Sequence, residues 1–190
     1  MKSVMHMRVA RSFLLVLLAY YFIGDAKAAS MSVVVGTFAL ACMNHVDEPS
    51  RMSELNKGGV KLPPEQADPL LKPEHGSAYL HGFDNGGRMI VAMKDAGGCK
   101  ITSMEASRHD VEEMILETFR RAPIPNRLLG SEKEKQLLRT TYAVSYRGKR
   151  LFLVVFGPDG PGSAGVNVEV SPAGHPPANV RPEAMIDWPT

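Results

Sequence analysis

Cys42 and His45 stand three residues apart in the stretch FALACMNH. A thiol beside an imidazole is the raw material of a cysteine nucleophile. The same thiol also suits a metal site, a lipid anchor or a disulfide. Five histidines lie beyond residue 30: His45, His75, His81, His109 and His175. His81 precedes Asp84 by three residues, a spacing at which a carboxylate can orient a general base if the chain turns there. His109 adjoins Asp110, but neighbours in a helix diverge, so a first-turn histidine is the plainer reading. Glu105, Glu112 and Glu113 supply carboxylates. A glycosidase needs two of these facing one cleft, and the local pattern places them on helix surface instead.

Most of these chemistries fail on count or distance. Zinc takes three or four ligands, and no CxxC or HxxxH is present. If His75 and His81 share a strand, six residues at about 3.3 Å each keep them roughly 20 Å apart. There is no GxSxG elbow, phosphate loop, dinucleotide fingerprint or HExxH. No catalytic residue, cofactor or metal ligand is therefore assigned. The glycines of GPDGPG precede no Lys-Ser/Thr and read as a turn. The scattered methionines read as core filling.

The first 28 residues set the compartment. Lys2, Arg8 and Arg11 form a basic front, Phe13 to Ile23 an apolar run, and Ala26-Lys27-Ala28 a small-x-small cleavage site. That is the anatomy of a secretory signal peptide, too short in its apolar part to span a bilayer, which takes roughly 20 residues. Cleavage would remove Lys2, Arg8, Arg11 and Lys27 against Asp25 alone, turning the formal charge of +2 into −1. No clustered basic footprint for nucleic acid remains; Arg120-Arg121 and Arg147 to Arg150 read as solvated surface. No stable membrane span is expected after cleavage. Roughly 160 residues are left, enough for one domain with a core.

Export decides the reading of the cysteines. An oxidising compartment favours disulfides, and Cys42 and Cys99 permit one pairing, worth about 4 kcal/mol by chain entropy. A lipidated Cys42 would lie far beyond the apolar run and strand Cys99. The pair is read as structural.

The elements that must position these residues follow from pattern. Val35, Phe38, Cys42 and His45 recur at helical steps, and Pro49 is a late stop. Residues 47–75, dense in proline and glycine, read as a long surface loop. GSAYLHGF, RMIVAMK and CKITSME, separated by Asp84-Asn85-Gly86-Gly87 and Asp95-Ala96-Gly97-Gly98, predict a three-stranded meander. Ser107 predicts an N-cap for a helix through Ala122, with Val111, Ile115 and Thr118 or Phe119 buried. SEKEKQLL predicts a short surface helix through Ser131-x-x-Glu134. RTTYAVSY and KRLFLVVF predict a hairpin about Arg147-Gly148. Residues 157–162 read as a turn that ends any strand, and AGVNVEV as the last strand. The proline-rich tail from Ser171 reads as extended or disordered, although Trp188 has the means to tuck back.

The expected architecture is α+β: an antiparallel sheet of five or six strands, helices packed against it, in the order α-βββ-α-βββ. Its parts are a signal peptide (1–28), one domain (29–171) and the tail (172–190). Phe38 to Cys42 as F-x-x-x-C, Gly98-Cys99-Lys100-Ile101 opening a strand, and the late LFLVVF make the chain resemble small exported proteobacterial two-cysteine proteins of unknown function. That resemblance implies a periplasmic or secreted domain and carries no activity. The function expected is an exported, non-enzymatic binding or inhibitor-like module for an unknown envelope protein or small ligand. The alternative is an exported hydrolase using His81, Asp84 or His109.

Overall fold

Strand β3, Arg88–Lys94, shows how this sheet is built: Met89 and Val91 are buried on one face while Ile90 and Ala92 face the other, the period-2 alternation of a pleated strand. The computed structural model describes residues 30–46, 48, 51, 54, 56–177, 180, 188 and 189. The expected leader (1–28) and Pro49 lie outside the described residues.

Helix α1 covers residues 30–45. Then come β1 (Val60–Lys61), α2 (Pro64–Leu71), β2 (Gly76–Gly82), β3, β4 (Cys99–Ser107), α3 (Arg108–Arg121), β5 (Asn126–Glu134), β6 (Leu137–Tyr146), β7 (Lys149–Pro158) and β8 (Ala164–Pro172). They form one eight-stranded antiparallel sheet in the order β1-β2-β3-β4-β8-β7-β6-β5. Helices α1 and α3 cover the inner face. Met31, Val35, Cys42, Met43, Ile115 and Phe119 pack there against the inward residues of β3, β4, β6, β7 and β8. Helix α2 covers part of the outer face through Ala67 and Leu71 on Ala78 and Ala92. The Cys42–Cys99 disulfide joins α1 to the first residue of β4, with both cysteines fully buried and their Cα atoms 6.4 Å apart.

The meander of β2, β3 and β4 and the β6–β7 hairpin match expectation. So does α3, capped by Ser107, whose hydroxyl accepts from the Asp110 N–H. Arg147 and Gly148 both hold positive φ, the turn whose twist matches paired strands. Gly98 also needs its glycine: φ is +99°, and a Cβ would sit 2.5 Å from the Val170 carbonyl.

Four expectations are corrected. The sheet has eight strands, and the order α-βββ-α-βββ does not hold. The loop 47–75 contains β1 and α2, because Pro63 and Pro64 occupy the cap and first turn, where a missing N–H costs nothing. SEKEKQLL is the β5–β6 hairpin: its residues have fair helix propensity, but the ladder from Asn126↔Val144 to Glu134↔Leu137 pairs their backbone across the turn at Lys135-Gln136. Strand β7 runs on through Gly157 and Pro158, so the turn there starts at Asp159.

Trp188 does return. It lies on the outer face, edge-on to Phe152 at 5.1 Å, and its indole N–H donates to the Val144 carbonyl.

Candidate functional site

Burial and bonding place the expected residues apart. Cys42 is held in the disulfide and offers no thiol to the half-buried His45. His81 lies one residue before the end of β2 on the inner face, buried, with its ring edge-on to Phe38 at 5.4 Å and against Gly59. Burial holds its pKa below the usual imidazole value, and among the described residues Nε2 has no hydrogen-bond partner. Asp84 is exposed in the following turn, and no hydrogen bond or ion pair joins it to His81. His109 is half exposed, 3.9 Å from Glu113 one turn along α3. His75 and His175 lie on the surface. Among the described residues no three His, Cys, Asp or Glu side chains converge as a metal site would need.

Glu112 overturns the expectation of a surface carboxylate. It is buried: Oε2 accepts from Arg108 at 2.5 Å, and Oε1 accepts from the Thr140 and Tyr142 hydroxyls. Burial, and then the Glu112 carboxylate, push the Tyr142 hydroxyl well above its ordinary pKa. Every Glu112 contact is a donor held in the core between α3 and β6, so the group ties helix to sheet. Glu105 is on β4 and accepts from Ser103; Glu113 is on the helix surface.

A concavity forms where no motif pointed. A cleft of about 460 Å³ opens between Leu40 of α1, Thr118 and Ala122 at the end of α3, the Pro123-Ile124-Pro125 connection and the β6–β7 turn. Its volume falls within the range of small-ligand sites, roughly 300–1,000 Å³. The walls are fixed. Two prolines restrict the connection, and the Ile124 and Ser145 backbone N–H groups donate to Phe119 and Pro125 carbonyls. The Tyr146 hydroxyl donates to Asn44 Oδ1, and the Lys149 ammonium donates to the Asn44 carbonyl at the end of α1, each at 2.9 Å.

Arg147 stands at the rim, its guanidinium 5.3 Å from the centre of the Tyr146 ring, a cation–π distance. Ser145 on the same wall donates to the Pro189 carbonyl, so the docked tail abuts the cleft.

A smaller hollow, about 210 Å³, lies on the outer face among Leu80, Ile90, Thr102 and Met104.

No family model matches this chain. Neither a curated protein nor a solved structure matches it. No helix among the described residues is long and apolar enough to cross a membrane.

Sequence reasoning missed the cleft because its walls come from residues near 40, 120 and 146, and no local spacing joins them. It also missed the Glu112 group, for which a signal existed. Arg108, Glu112, Ile115 and Phe119 step by four, three and four, which is one helix face.

Proposed function

We propose that this chain is an exported, non-enzymatic module that binds a small ligand in the cleft between α1, the end of α3 and the β6–β7 turn. The observation that carries the reading is the cleft itself: an open, mainly apolar concavity whose walls are tied to one another by hydrogen bonds. Binding without large rearrangement favours such preformed sites, because less ordering entropy is lost on association. Export rests on the basic-apolar-small leader and agrees with the Cys42–Cys99 bridge, which belongs to an oxidising compartment. The hydrolase alternative loses ground because His81, Asp84 and His109 share no hydrogen bond or ion pair.

Amide chemical-shift mapping on isotopically labelled protein with a small-fragment set tests this. Shifts clustered on Thr118, Ala122, Ile124 and Ser145 to Arg147 are expected. Shifts confined to another surface would overturn the assignment of the site.

A further inference from the structure

Charge around the cleft is lopsided. The two segments that form most of it, residues 117–125 and 145–150, contain Arg120, Arg121, Arg147, Lys149 and Arg150 against Glu117 alone. Helix α1, the third wall, contributes no acidic side chain. Glu117 is already occupied by two guanidinium groups: Arg120 and Arg121 both bond to it, at 2.5 and 2.8 Å. Arg147 has no carboxylate within 4 Å among the described residues. It is nevertheless held in place, by the positive-φ turn beneath it and by the Tyr146 ring. Of these basic residues Arg147 lines the cleft, and below it the lining is Leu40, Ala122, Pro123, Ile124 and Pro125. An apolar floor buries hydrocarbon, while a positioned guanidinium favours an anionic head, most strongly one able to accept two parallel hydrogen bonds.

We infer that the cleft takes a small amphipathic anion, an apolar body ending in a carboxylate or similar head, with Arg147 as the residue that selects the charge. This rests on the binding reading above and adds the ligand class to it. The head lies at the β6–β7 turn and the body runs toward Leu40 and the end of α3.

The test uses the mature protein, free monomeric decanoate as the probe, and decan-1-ol and decyltrimethylammonium as matched chains with neutral and cationic heads. Titration calorimetry should rank decanoate first and the ammonium last. Arg147→Asn removes the charge with a side chain that tolerates positive φ. It should weaken decanoate about tenfold, the effect of losing one charge-assisted hydrogen bond, and leave decan-1-ol unchanged. Ala122→Trp, at an exposed position on the cleft wall, should abolish both by filling it.

Decan-1-ol binding as tightly as decanoate, or Arg147→Asn leaving decanoate unchanged, would overturn the charge inference while the small-ligand reading stands. Decanoate binding that survives Ala122→Trp would remove the ligand from the cleft and sink both. Failure of free decanoate together with capture by vesicles of anionic phospholipid would also overturn it, in favour of a membrane surface.

Discussion

Arg108 donates to Glu112 at 2.5 Å one turn along α3, and both side chains are buried beneath the sheet. The pair survives burial because Thr140 and Tyr142 complete the acceptor set of the carboxylate. A buried ion pair contributes little relative to well-packed apolar residues, yet removing one partner strands the other.

Glu112→Gln should therefore destabilise the protein by about 3 kcal/mol, read as a lower urea midpoint at constant slope. The double variant Arg108→Met with Glu112→Leu should recover at least half of that loss. A Glu112→Gln midpoint equal to wild type would mean that the network does not hold α3 on the sheet.

His81 predicts an acid-sensitive fold. Its folded pKa is depressed by burial, whereas the unfolded chain titrates near about 6.5. The unfolded state therefore binds the proton more readily, and stability falls as pH drops below about 6.5 and on through the folded pKa. Wild type should lose more stability between pH 7.5 and pH 5 than His81→Leu does. Parallel losses would remove His81 from the acid response.

The bridge between α1 and β4 closes a separation of 57 residues. Cys42→Ala with Cys99→Ala should cost about 4 kcal/mol by chain entropy, lowering Tm by roughly 2–4 °C for each kcal/mol in a chain of this size. A loss under about 1 kcal/mol would show that packing of α1 alone fixes the helix.

Trp188 is the chain's single tryptophan, so intrinsic fluorescence reports the tail directly. Its emission should be blue-shifted in the native protein and move to the red in Phe152→Ala before global unfolding. Trp188→Ala should cost about 3 kcal/mol, as for other buried aromatic truncations. Emission already typical of exposed indole in the native protein would contradict the docked tail.

How much of this was legible in the sequence depended on whether the deciding interactions were local. Asn85-Gly86, Gly97-Gly98 and Arg147-Gly148 announce their turns because φ > 0 is a property of single residues. Ser107 announces a cap because its hydroxyl serves an N–H three residues on. Strand β5 was illegible: Ser131 to Gln136 carry ordinary helix formers, and only pairing with β6, an interaction absent from any short window, makes them extended. Helix α2 was hidden by its prolines: Pro63 and Pro64 fall at the cap and first turn, where a missing N–H costs nothing, while Pro69 sits inside the helix. The cleft was least visible, since Leu40, Ala122 and Tyr146 meet only after three separate elements have docked.

Strand β8 has a consequence for how the molecule is born. It is the last strand among the described residues, yet it sits between β4 and β7 and supplies the ladder on both sides. Until it arrives, β1 to β4 and β5 to β7 are two sheets with no backbone bond between them. A nascent chain therefore emerges from the ribosome with Val166, Val168 and Val170, the keystone of its inner face, still to come. Such late, non-local closure slows folding and keeps apolar strand edges open during synthesis. A chain stopped after Pro158 and before Ala164 would leave two sheets that no ladder joins.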